Sequence, residues 1–197
     1  RIGSSTLTHL RIGRCRDLEP IEPRYAIGRT IHATMERAEA LGAETVEVEA
    51  PEARGAYATF ATIVLAGGLR RHRALGLWPQ QAGLYSDDVR ERLERAERVD
   101  LDRHRAAVDL RGRLEHVADT VFAEVDVLVA PVAGVSPIQI ERVAEEGLDF
   151  REAVMSFTAP HNLTGLPACS VPAGFDDLGL PVGVQLIGPA WSDRSLL

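Results

Sequence analysis

Val125-Asp126-Val127-Leu128-Val129-Ala130-Pro131 is an apolar run broken only by one aspartate, and its reading decides the fold class. A strand covered on one face alternates apolar with polar residues, whereas one covered on both faces stays apolar. The run therefore predicts a central strand with a layer on each side, ended by Pro131, which has no N–H for a ladder. Working outward, Leu10 to Cys15 alternates as a strand and leads through a turn at Pro20 and Pro23 into Ile27, Ile31, Met35 and Ala38 at helical spacing, with Gly42 as the stop. Thr45 to Val48 alternates again. Strand, helix, strand is the unit that builds a parallel pair by a right-handed crossover.

Ala56 to about Leu75 reads as a mostly apolar helix. Gly67 and Gly68 inside it each cost about 1 kcal/mol against alanine, and a close packing contact is the expected reason for keeping them. Ser86 with Asp87 and Asp88 suits a helix N-terminus, and that helix runs through Arg95. Leu101 to Phe122 reads as a long amphipathic helix with a solvated charged face. Residues 132–148 read as a loop, and Asp149 as the cap of a short helix. Ala168 to Pro172 and Val182 to Ile187 read as strands joined by the turn Asp176 to Gly179, an adjacent, antiparallel and substantially buried pair with the turn at the surface. With a parallel pair at one end and an antiparallel one at the other, the sheet is mixed, and residues 1–197 read as one domain.

Composition narrows the function. The chain has 197 residues, 45% hydrophobic and 26% charged, which suits a globular class rather than a disordered one. Its 22 basic residues are all arginine, against 29 acidic ones, for a net charge of −7. That balance offers no general attraction to a nucleic-acid backbone or an anionic membrane, so no nucleic-acid or membrane partner is expected. No window approaches an uncharged transmembrane span, and the first residues lack the apolar core of a signal peptide. Cys15 and Cys169 are far apart and show no metal-ligand spacing, which fits a reducing cytoplasm. The six histidines are scattered, no phosphate-cradling glycine loop is present, and neither a metal nor any other cofactor is expected.

Phe157-Thr158-Ala159-Pro160-His161-Asn162-Leu163-Thr164-Gly165-Leu166-Pro167-Ala168-Cys169-Ser170-Val171-Pro172-Ala173-Gly174, followed by Gly179-Leu180-Pro181-Val182-Gly183-Val184-Gln185-Leu186-Ile187-Gly188-Pro189, resembles the closing signature of the amidase signature family. The Asp126 to Pro131 strand extends the resemblance, and weaker agreement runs back to residue 10. The resemblance implies the C-terminal half of a layered α/β/α fold around a large mixed sheet. It also implies cleavage of a carboxamide to a carboxylate and ammonia or amine through a serine ester, by a nucleophilic serine, a second serine and a lysine. Arginine cannot stand in for that lysine, because it does not surrender its proton in a protein. The glycine- and serine-rich nucleophile stretch is not found either. Gly3-Ser4-Ser5 reads as linker, and Ser170 as a strand side chain outside any nucleophile elbow.

No residue of this chain is therefore assigned a catalytic role. Thr158, Asn162 and Trp78 are the candidate substrate-binding residues. Each has a plainer reading: Thr158 as a cap, Asn162 as a turn residue bonding local backbone, and Trp78, with Tyr85, as packing beneath a loop. Gln185 reads as a hydrogen-bonding residue near a strand end. The resemblance implies a small-molecule amide as substrate of the complete enzyme, and a missing N-terminal half or a second copy as partner. Two other readings stand beside it: a part like the A-type component of a glutamyl-tRNA amidotransferase, or a non-catalytic remnant serving assembly or binding. Against the amidotransferase, its family pattern has an aspartate two residues before the Phe-Thr pair, where this chain has Met155.

Overall fold

The computed structural model describes residues 6–19, 21–142 and 150–197. Strands β1 (Arg11–Arg14), β2 (Glu44–Glu47), β3 (Val127–Pro131), β4 (Ala168–Phe175) and β5 (Pro181–Ile187) form one five-stranded sheet in the order β2-β1-β3-β5-β4. β1 is parallel to β2 and β3, while β5 is antiparallel to β3 and β4. The mixed α/β sheet and the strand-helix-strand unit are as the sequence pattern predicts.

The apolar run around β3 explains the layering. Val129 points to one face, where it packs with Ile12, Val184 and residues Ile31 and Ala38 of helix α1 (Tyr25–Ala40). Leu128 and Ala130 point to the other, where they meet Ala56 of α2 (Ala56–Ala74) and Leu114 and Val121 of α4 (Leu101–Glu124). Leu163 of α6 (Ala159–Thr164) completes that side. Helix α3 (Asp87–Glu97) packs on α2 through a satellite cluster of Leu69, Trp78, Leu93 and Ala96. Two short helices, α5 (Phe150–Met155) and α7 (Asp193–Leu196), complete the set among the described residues.

Charged groups fix the entry and exit of β1. The Asp126 carboxylate accepts from the Arg11 backbone N–H at 2.8 Å and from its guanidinium at 3.0 Å, locking the start of β3 beside β1. At the other end Arg14 holds Glu19 through two parallel bonds of 2.8 and 2.9 Å, with both side chains nearly buried. Such a fork is the geometry arginine provides and lysine does not.

Four expectations need correction. Gly67 and Gly68 have open space where a Cβ would stand, so no close contact explains them. β4 is an edge strand with Ala168, Ser170 and Pro172 exposed; only β5 of the final hairpin is substantially buried, because it alone has a strand on each side. In the turn, Asp177, Leu178 and Gly179 are exposed, but Asp176 is buried, its carboxylate accepting the N–H groups of Leu178 and Leu180 at 2.9 and 2.8 Å. Those bonds hold its carboxyl below the usual aspartate range. Finally, α6 occupies residues read as a turn, with Gly165 in the left-handed region (φ 72°) at its end. The expected linker Gly3-Ser4-Ser5, the expected cap Asp149, Pro20, and part of the expected loop fall outside the described residues.

A Cβ at Gly13 would stand 2.8 Å from Val125 Cγ1 and 3.0 Å from Leu128 Cδ2, in the seam between β1 and β3. Gly13→Ala is therefore expected to lower unfolding stability by about 1–3 kcal/mol through overpacking. In a urea titration the Gly13→Ala/Val125→Ala double variant should lose less than the sum of the two single losses, since the truncated Val125 makes room.

Candidate active-site wall

The segment from Met155 to Thr158 joins α5 to α6 and lies between two clefts. Its position is set by Gln185 on β5, which is 4% exposed and whose side-chain N–H groups donate to the carbonyls of Pro131 and Phe157, both at 2.7 Å. One amide thus ties the end of β3 to the turn before α6. Phe157 is itself buried, and its ring occupies space beside Gly134 that a Cβ there would fill, at 2.6 Å from Phe157 Cε2. Gly134 also joins the α1 entry to α5, accepting from Arg24 N at 2.9 Å and donating to Ala153 O at 2.8 Å.

The first cleft, about 250 Å3, lies between α6 and β4 and is lined by Thr158, His161, Asn162, Cys169, Ser170 and Gln185 among others. Two of the three predicted binding residues meet here. Thr158 Oγ1 donates back to Met155 O at 3.2 Å, and its own carbonyl accepts Asn162 N at 3.1 Å, so it ends the α5 turn and starts α6. The Asn162 side chain is exposed and makes no hydrogen bond among the described residues; it lines the cleft from a helix instead of tying a turn. Ser170 stands exposed on β4 at the junction with an adjoining apolar cleft that contains Ile27, Val135 and Val154. No hydrogen bond joins it to His161 or to any other base among the described residues, in keeping with a strand side chain.

Trp78 does not belong to this site. It is 5% exposed in the α2–α3 satellite cluster, its indole N–H donates to Glu97 at 3.1 Å, and its ring meets Tyr85 edge-on at 6.1 Å. The same Glu97 accepts from Arg73 at 2.6 Å, and these bonds hold its carboxyl below the usual range. Loop residues bracketed by proline and glycine suggest an entrance; here the tryptophan turns inward and anchors the loop.

The second cleft, about 100 Å3, shares no lining residue with the first and lies between α2, α3 and α5, with Met155 in its wall. Tyr57, Phe60, Ala61, Val64 and Leu65 line one side, with Met155, and Arg92, Arg95 and Arg151 rim it. The α2 residues follow a helical stripe, the one signal in the sequence that marked them, and a stripe of that kind ordinarily means core. In fact α2 buries Thr59 and Thr62 and leaves Val64 40% exposed.

His161, on α6, is 4% exposed, and its Nε2 has no hydrogen-bond partner among the described residues. Burial without a partner pushes the imidazole down from 6.5 to about 4, so it is neutral at physiological pH. Cys15 is buried and its thiol is pushed up to about 11 by desolvation, which makes it unreactive. Among the described residues no three His, Cys, Asp or Glu side chains gather as a metal site, and no helix is long and apolar enough to cross a membrane.

This architecture and these sequence runs have known counterparts. A family profile described as Amidase matches residues 3–197, and the chain belongs to the amidase signature family. It is 32% identical to the A-type component of the glutamyl-tRNA(Gln) amidotransferase of a Synechococcus species, over 98% of this chain and 44% of that protein. It is 40% identical to the fatty acid amide hydrolase of Medicago truncatula over 47% of this chain and 16% of that enzyme. A crystal structure of an amidase superposes with a TM-score of 0.81 at 25% identity, covering 96% of this chain and 44% of its own. The chain thus spans less than half the length of these relatives.

Two measurements test the wall. Gln185→Leu withdraws both donors from buried carbonyls and is expected to cost about 2–4 kcal/mol by chemical denaturation, with Gln185→Glu at least as damaging because a carboxylate cannot donate. For His161 the unfolded chain takes up its proton near pH 6.5 and the folded one only near 4, so stability falls as the pH drops through that window. The drop attributable to this residue is about 3 kcal/mol and should be missing from His161→Phe in paired denaturation curves at pH 7 and pH 4.

Proposed function

We propose that this chain forms the sheet, pocket wall and substrate entrance of an amide hydrolase of the amidase signature family that works through a serine ester. The observation that carries the reading is the pair of clefts on either side of the Gln185-anchored turn, in a chain matched to the family over residues 3–197. In the proposed reaction a serine oxygen attacks the carboxamide carbon, the C–N bond breaks to release ammonia or an amine, and water then cleaves the ester to a carboxylate. A base is needed to take the serine proton, and the family's base is a lysine, which these 197 residues do not contain. We therefore assign the nucleophile, the bridging serine and the lysine to residues outside this chain, brought by an N-terminal half or another polypeptide. Thr158 and Asn162 are assigned to substrate contact in the first cleft. A reducing, cytoplasmic setting fits the unpaired Cys15 and Cys169.

A part like the A-type component of an amidotransferase is the second reading, favoured by the similarity to the Synechococcus protein. Met155 weighs against it, since a thioether offers no negative charge to a substrate ammonium group. The test is ammonia release by the purified chain from a panel of aliphatic and aromatic amides. None is expected, and turnover abolished by Ser170→Ala would overturn the assignment of the nucleophile to another segment.

A further inference from the structure

The second cleft carries an electrostatic feature that the hydrolase reading does not use. Several arginines elsewhere are paired: Arg11, Arg14, Arg16, Arg54 and Arg73, among others, each hold a carboxylate within 4.0 Å. Arg92, Arg95 and Arg151 do not, among the described residues. Arg151 lies 4.0 Å from the Met155 sulfur and acts on Asp88 only through its field. In a chain with 29 acidic residues and a net charge of −7, three guanidinium groups without a carboxylate in hydrogen-bond contact, on the rim of one crevice, are a concentration of positive potential. No acidic side chain lines the crevice, and its interior is the apolar stripe of α2 with Met155 opposite.

An apolar slot with a guanidinium rim is complementary to a molecule with an apolar body and an anionic end. The body displaces water from Phe60 and Leu65, and the thioether of Met155 adapts to its shape. The anion receives charge-assisted, forked hydrogen bonds that a planar guanidinium makes best with a carboxylate. A cationic group placed there meets three like charges and no acidic lining residue.

We propose that this cleft binds an apolar acyl or aryl chain ending in a carboxylate. Its substrates are then amides that carry a second, free carboxylate and no ammonium group. The substrate role rests on the amide-hydrolase reading; the binding site does not. Calorimetric titration of the purified chain with phenylbutyrate, phenylbutanol and phenylbutylamine at low ionic strength separates the contributions. Phenylbutyrate should bind at least tenfold more tightly than the alcohol, the amine should bind no better than the alcohol, and added salt should weaken only the carboxylate. Arg92→Gln should weaken phenylbutyrate about tenfold and leave the alcohol unchanged, and the exposed Arg95→Gln, which threatens no packing, should weaken it in the same sense. Equal binding of acid and alcohol, insensitivity to both substitutions, or no binding of any probe would overturn the proposal. None of these outcomes depends on amide turnover, so failure here leaves the hydrolase reading intact, and failure of that reading leaves this binding measurable.

Discussion

A buried amide that donates to two carbonyls from different elements holds β3, β5 and the turn before α6 in register. Gln185 lies on β5, Pro131 ends β3, and Phe157 belongs to the turn that separates the clefts, with both bonds at 2.7 Å. Backbone carbonyls at a strand end and in a turn need donors once water is excluded, and a leucine or valine at this site would strand them. The requirement explains why a polar residue sits in an otherwise apolar strand beside Val184 and Ile187. It also makes the positions of Thr158 and Met155 properties of the sheet rather than of a loop. Candidate binding groups supported by a rigid strand keep their geometry better than groups on an unanchored connection.

Much of the architecture was legible because one physical rule dominates each segment. The two-faced apolar run of β3 required layers on both sides, and Val129 and Leu128 supply them in opposite directions. The helix of Ile27, Ile31 and Ala38 and its stop at Gly42 followed from spacing and the need for a left-handed residue, observed at φ 96°. What failed depended on three-dimensional neighbours. Whether Trp78 turns in or out hinges on Glu97, distant in sequence, being present to accept its N–H. That β4 is an edge strand follows from what does not pair with it, which no local pattern encodes. The apolar stripe of α2 was visible but ambiguous, since periodicity reports that a face avoids water without saying whether core or cleft receives it. Met155 is marked in the sequence only by the family pattern, and Arg92, Arg95 and Arg151 by no signal at all, because solvated arginine is the ordinary case.

The exclusive use of arginine shapes the molecule in two opposed ways. Its fork suits structural pairing, as at Arg14–Glu19 and Arg11–Asp126, where two hydrogen bonds fix orientation as well as charge. Its permanent charge disqualifies it from proton transfer. The buried His161, held neutral by desolvation, has no hydrogen-bond partner for its Nε2 among the described residues.

The edge strand β4 carries a consequence for how the sheet can grow. Its ladder with β5 runs in register from Ala168 to Pro172 and then shifts before Gly174. Pro172 lies at that break, exposed, and has no N–H to give a ladder. A strand approaching from outside finds a continuous row of partners only along the first half of β4, and beyond it a bent segment with a missing donor. Proteins blunt their edges against indefinite strand addition in this manner. Within these five strands the β4 margin thus offers a neighbouring strand a short run of pairing groups, from Ala168 to Pro172, rather than its whole length.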